Sequence, residues 1–400
     1  MYQKPNLISR HLALVCAVIL AFAVSTTSAR SNFAERTSLA QSKFSISLMR
    51  HLQSSNGDVI VVSPAGAAAA IALVSLGASQ RFRETAQATL GYDSSRRADL
   101  DLEEFLQSIS GIAGADGSCS IANAAALDSK IEPDPNTISR MRSSGPEIWI
   151  KSLSDASTVQ FINQWVSEKT RGFIGEIVDN GIGNSGMVVL NALYFKDDWA
   201  TSFDKARTQL ALFHNADGTV EKAPMMRGTI TAAARLEGRI AAISLPYKSS
   251  RFSLTLVTTR DTPAAFSEFT DIENWLNQTD YRPARMEVIL PRMVLRKSSS
   301  LMSSLNSTGL GAAFADSGTF LPLSKRPIHL DGVLQKIYFK IDEQGSQAAA
   351  ATAVYGRSIA AASAEPNLIS FDKPFVFALR DQVTGMWLLS GYVGRLPAGE

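Results

Sequence analysis

The chain has 400 residues, 45% hydrophobic and 19% charged, which supplies a large core and excludes an intrinsically disordered polymer. Lys and Arg number 39 against 37 Asp and Glu, so there is no electrostatic footprint for nucleic acid and none is expected as a partner. Two cysteines, Cys16 and Cys119, exclude a disulfide framework and a CxxC zinc site, and four histidines without metal-ligand spacing argue against a metalloenzyme; neither metal nor cofactor is expected.

At the N-terminus, Lys4 and Arg10 precede an apolar stretch over 12–24 that is too short to span a bilayer. Small residues follow at 25–29 (STTSA). This order reads as a signal peptide over 1–29, cut after Ala29, leaving a secreted, extracellular chain over 30–400 with no membrane partner. Val15 is too large for lipoprotein processing at Cys16. The mature chain keeps a lone Cys119, so its core must hold it together.

Phe44, Leu48 and Leu52 recur at helical spacing. A short buried strand over 59–62 runs into Ser63-Pro64, a helix cap followed by proline at the first helical position. The helix over 65–76 is apolar nearly all round, hence buried, and stops at Gly77. Asp99, Asp101, Glu103 and Glu104 read as a solvated helix face. A mixed helix over 161–174 carries Ile162, Trp165 and Val166. The run over 187–195 (MVVLNALYF) predicts a strand covered on both faces. Asp197-Asp198 reads as a strand-end turn rather than an acid/base pair. Phe252, Leu254 and Leu256 alternate with Ser253 and Thr255 as in a half-buried strand, and Met286, Val288 and Leu290 alternate likewise. Closing strands follow at 375–377 and 386–389. Helices gather early and strands late without βαβ alternation, which predicts a single α+β domain with antiparallel or mixed sheets.

No enzyme motif stands up. Gly181, Gly183 and Gly186 spell GxGxxG, but a strand follows where a dinucleotide site needs a helix. There is no GxSxG elbow, Walker loop, HExxH or EF-hand loop, and the chain is not expected to be an enzyme. Residues 341–365 (IDEQGSQAAAATAVYGRSIAAASAE) are different. Large side chains are nearly absent, no proline occurs before Pro366, and a helix there would have no apolar stripe to dock it. Long structureless segments in compact domains are usually functional.

Glu343, Gly345, Ser346, Ala348, Ala349, Ala350, Ala351 and Thr352 resemble the hinge of the reactive-centre loop of inhibitory serpins. The likeness extends to Ser63-Pro64 and its helix, to Asn163, Trp165, Thr170 and Gly172, and to Leu190-Asn191-Ala192 with Tyr194, Phe195 and Trp199. It continues through 213–226, Phe371, Lys373-Pro374-Phe375, Arg380-Asp381, Thr384-Gly385 and Gly391, in family order from about residue 40 to the C-terminus. The resemblance implies a serpin fold, helices packed around three β-sheets, with an exposed reactive-centre loop at about 343–365.

It also implies a monomeric suicide substrate whose partner is a serine protease, or a cysteine protease reacting in the same way. Once acylated, the loop inserts as a new strand and drags the protease along. Ser346, Ala348, Ala350, Thr352 and Val354 would share the buried face, and all are small or β-branched. Neither proline nor a charge interrupts them, which favours inhibition over a non-inhibitory ligand carrier or chaperone. Ser63, Asn191, Trp199 and Gln335 resemble the groups where the sheet must part. Gly66 departs from the family's usual second serine, and Gln335 stands where many members carry histidine. Counting from Glu343 puts the reactive bond at Ile359–Ala360, suited to an elastase-like or subtilisin-like protease. Arg357–Ser358 is the rival, for a trypsin-like enzyme. Asn277 and Asn306 begin glycosylation sequons.

Overall fold

The computed structural model describes residues 36–53, 59–92, 94, 96–112, 119–178, 182, 186–346 and 366–397. The expected signal peptide and loop residues 347–365 lie outside them.

A helix over 36–53 (α1) buries Phe44, Leu48 and Leu52, as their spacing predicts. Strand β1 (Val59–Val62) leads into α2 (Pro64–Leu76), where Ser63 Oγ accepts from the Gly66 amide. Every residue of α2 is buried and Gly77 ends it. Helices α3 (Gln80–Thr89) and α4 (Ala98–Ser110) follow. The acidic run on α4 is not all solvated. Asp101 is fully buried, 3.1 Å from Arg96 and 3.6 Å from Arg36, and accepts from Gln87 Nε2 at 2.8 Å. A buried carboxylate needs such partners, and these tie α1, α3 and α4 together.

Next come β2 (Cys119–Asp128), α5 (Pro135–Ser143), β3 (Glu147–Lys151) and α6 (Ala156–Lys169). Helix α6 sits earlier than the predicted 161–174 because Arg171 and Gly172 take positive φ, 54° and 82°, and break it. Strand β4 (Met187–Phe195) is buried at every residue, and β5 (Asp197–Asp198) follows one residue later. The remainder is mostly strand. It comprises β6 (Gln209–His214), β7 (Val220–Glu237), β8 (Ile240–Pro246), β9 (Phe252–Thr259), β10 (Arg282–Pro291), β11 (Met293–Ser300), β12 (Leu330–Ile341), β13 (Gly345–Ser346), β14 (Asn367–Ser370), β15 (Phe375–Asp381) and β16 (Trp387–Val393). The short helices α7 (Ile272–Leu276), α8 (Met302–Leu305) and α9 (Gly311–Ala315) fall among them.

Three sheets result. A five-stranded sheet runs β11-β12-β4-β2-β3, with β12–β4 and β2–β3 parallel. Ile162, Trp165 and Val166 of α6 cover one face against Leu190, Ala192 and Tyr194, while Val189, Leu193 and Phe195 enter the main core on the other. The long β7 joins the other two sheets. Its first half pairs with β6, its middle with β10, and its end with β8, so β1-β16-β15-β9-β8 and β6-β7-β10-β14 share one strand. The half-buried reading of β9 is corrected: Ser253 and Thr255 are buried, roofed by Gln278, whose Nε2 donates to both hydroxyls. Their polar atoms are satisfied inside the protein, so alternation did not mean a wet face.

Candidate functional site

The first cluster lies midway along the five-stranded sheet, where β12 and β4 run in parallel with Gln335 opposite Asn191. Gln335 Oε1 accepts from the Ser63 amide at 2.9 Å. Gln335 Nε2 donates to the Ser63 carbonyl at 3.0 Å and to Asn191 Oδ1 at 2.9 Å. Asn191 Nδ2 donates in turn to Asn123 Oδ1 at 2.8 Å. The side chains of β12, β4 and β2 are thus laced to the cap of α2, with Ser63, Asn191 and Gln335 buried and Asn123 half-buried. A Cβ at Gly66 would overlap the Asn191 side-chain amide, so the missing hydroxyl leaves room that Asn191 fills. Asn123 escaped the sequence reading; its signal was a lone amide in the otherwise small and apolar run CSIANAAALD.

The second cluster closes the end of that sheet and holds Glu343, Gly345 and Ser346, the described part of the expected hinge. Trp199 is here, not beside Asn191. Its amide donates to the Gln344 carbonyl at 2.7 Å, its indole Nε1 donates to the Asp342 carbonyl at 2.9 Å, and its ring stacks on Tyr247 at 4.5 Å. Glu343 is buried. Its carboxylate accepts from Thr208 Oγ1 at 2.8 Å and lies 3.7 Å from Arg292, and its carbonyl accepts from the Phe203 amide at 2.8 Å. Asp342 Oδ1 accepts from the Gln344 and Gly345 amides at 2.9 and 3.2 Å, folding the chain back on itself. Tyr247 Oη and Ser346 Oγ are 2.7 Å apart and both are buried. Burial pushes the Tyr247 pKa well up, against the opposing bond to Ser346.

That turn has a consequence for Asp197-Asp198, read from sequence as a turn. They form β5, antiparallel to β13, with Gly345 opposite Asp198 and Ser346 opposite Asp197. Gly345 has φ of 155°, and a Cβ there would overlap the Asp197 carbonyl, so glycine is required by close approach.

Beyond Ser346 the chain returns at β14, which runs parallel to β10 with Leu368 opposite Glu287. Ala348, Ala349, Ala350, Ala351 and Thr352 of the hinge, and the bond candidates Arg357, Ser358, Ile359 and Ala360, lie outside the described residues. Of the sequons, Asn306 is exposed, whereas Asn277 is half-buried with its Oδ1 accepting from Trp387 Nε1 at 3.1 Å.

A five-stranded sheet in which the inner strands β12 and β4 are parallel and directly paired, with a turned-back chain anchored at their end, defines a serpin-type molecule. The family model for serpins, serine protease inhibitors, matches residues 39–395, and the chain belongs to this family. It is 30% identical over 257 residues to plasminogen activator inhibitor 1 of Neovison vison, a match that takes in 60% of this chain and 63% of that protein. It is 26% identical over 390 residues to intracellular coagulation inhibitor 2 of Tachypleus tridentatus, covering 90% and 91% of the two chains. The crystal structure of Serpin48 from the insect Tenebrio molitor shares the fold with a TM-score of 0.80 at 21% identity, over 91% of this chain and 99% of that one.

Proposed function

We propose that the chain is a secreted, monomeric inhibitor of serine proteases that acts as a suicide substrate. One observation carries the reading: β4 and β12 pair directly in parallel, while the first two residues of a reversed strand, Gly345 and Ser346, already sit on β5, the continuation of β4. A strand continuing from Ser346 between β4 and β12 is antiparallel to both. It replaces one parallel ladder with two antiparallel ones, which are slightly more stable per residue. Extended by sequence, the register of β13 on β5 would bring Ala348 opposite Phe195, Ala350 opposite Leu193 and Thr352 opposite Asn191. Small residues would then meet the crowded core face, and a hydroxyl would meet the amide that loses Gln335 as the sheet parts.

Chemically, the protease serine oxygen attacks the carbonyl carbon of Ile359, the bond to the Ala360 nitrogen breaks, and the serine proton leaves with the new amine. Insertion then carries the acyl-enzyme to the far end of the sheet before water can cleave the ester. A protease using cysteine would form the equivalent thioester. The test is incubation with subtilisin, pancreatic elastase and trypsin, followed by hot detergent electrophoresis. A covalent complex at the summed mass supports the reading; clean loop cleavage without a complex for all three defeats it. Mass spectrometry of the released peptide should give Ala360 as its N-terminus; Ser358 there would move the bond to Arg357.

A further inference from the structure

The loop's two anchors bracket a strip of cationic side chains. At the departure end, Glu343 is bound by the Phe203 amide and by Thr208 Oγ1, residues that flank the turn Lys205–Arg207. At the return end, Leu368 lies opposite Glu287 on the neighbouring strand, about 5 Å away backbone to backbone. Glu287 joins the two: its Oε1 accepts from Arg227 Nε at 2.8 Å and from Arg207 Nη2 at 3.2 Å. One carboxylate therefore serves two guanidiniums, whose side chains remain 43% and 49% exposed for Arg207 and Arg227. Arg285 points to the same open face as Glu287, two residues back along β10, and is exposed. Lys205, also exposed, adds a fourth cation, against Glu287 and Asp204, the latter accepting from the Ala206 amide. Exposed Leu368 and partly buried Ile289 supply apolar surface beside the charges.

We propose that this strip, Arg207, Arg227 and Arg285 around Glu287, is a docking surface for an acidic face of the target protease, outside its active-site cleft. The inference rests on the inhibitory reading above. On that reading the protease approaches from the side of the molecule where both anchors lie, which brings its rim toward these side chains. The half-exposed guanidiniums of Arg207 and Arg227 steer an acidic partner and speed encounter, an effect salt suppresses. The strip is short, carries a central carboxylate and is edged by leucine and isoleucine, which fits a protein face better than a long polyanion.

The test compares the full chain with the double variant Arg207→Gln/Arg227→Gln, using subtilisin and subtilisin succinylated on its lysines. The wild-type chain should react faster with the succinylated enzyme, and the double variant should lose about tenfold in association rate at low salt, with the gap closing at high salt. Stoichiometry of inhibition and melting temperature should not move. Equal rates for the two chains, or a deficit that salt leaves unchanged, overturn the docking surface. So does acceleration by heparin that the variant loses, which assigns the strip to a polyanion. If the loop is cleaved without trapping, the inhibitory reading fails, but the rate of cleavage still reads the docking step in the same way.

Discussion

Gly66 and Gln335 depart from the family's usual residues together, and the structure explains both. With no side chain at Gly66, the Asn191 amide moves into that space, and Gln335 supplies the donor that a hydroxyl would otherwise give. Gln335 carries one donor group and one acceptor group on the same amide, so it can bridge the Ser63 backbone and Asn191 at once. Gly66→Ser, a change toward the family's usual residue, should therefore destabilise the protein, by about 1–3 kcal/mol for overpacking at a buried site. Urea unfolding measures it, and the cost should shrink in an Asn191→Ala background where the space is free. An unchanged midpoint for Gly66→Ser would mean that Asn191 moves aside without loss.

The hinge is held as an element rather than by one residue: a turn at Asp342, a two-residue ladder on β5, and a Tyr247–Ser346 hydroxyl pair. Tyr247→Phe should keep the fold and remove one bond that holds Ser346 beside β5, the point from which the proposed strand would extend. Losing about 1 kcal/mol of a buried hydrogen bond should lower the free energy of unfolding by that amount, read as a lower urea midpoint. The Tyr247 pKa is raised, so the neutral hydroxyl is what the fold favours. Its contribution is fully present below the free tyrosine value of about 10 and is lost as pH climbs through the folded value; the Phe variant should lack that alkaline loss. Farther along the hinge, Ala350→Pro or Thr352→Arg should leave circular dichroism unchanged and turn the chain into a plain substrate, seen as a stoichiometry of inhibition several times higher. Only the start of this element can be compared with the sequence reading: Glu343, Gly345 and Ser346 are described, whereas the small alternating residues after them lie outside the described residues. The ladder partners Asp197 and Asp198 were visible but read as a turn. A two-residue strand has no period to detect, and its partner lies far along the chain. Asp101 and β9 misled for a related reason: polar letters predict water, but Arg96, Gln87 and Gln278 arrive from elsewhere in the sequence to satisfy them.

At the scale of the molecule, the proposed mechanism puts the response to cleavage in the five-stranded sheet. Cutting the loop anywhere between Tyr355 and Ala364 should raise the melting temperature, against the usual effect of a nick. A gain of about 5 kcal/mol from a new central strand corresponds to roughly 6 °C for a chain of this size. Scanning calorimetry of intact and nicked protein checks it, and a level or lower transition removes strand insertion from the account. The order of strands along the chain bears on how such a state is reached at all. All five strands of the sheet lie between Cys119 and Ile341, ahead of the loop, whereas Val59 of β1 pairs with Val393 near the C-terminus. Chains emerge from the ribosome N-terminal end first, at about 5–20 residues per second. β4 and β12 can therefore meet before the loop that could separate them has emerged. β1 must wait for the last strand of all. Translation itself biases the newborn chain toward the unfilled sheet, and refolding from denaturant, where every segment is present at once, has no such clock.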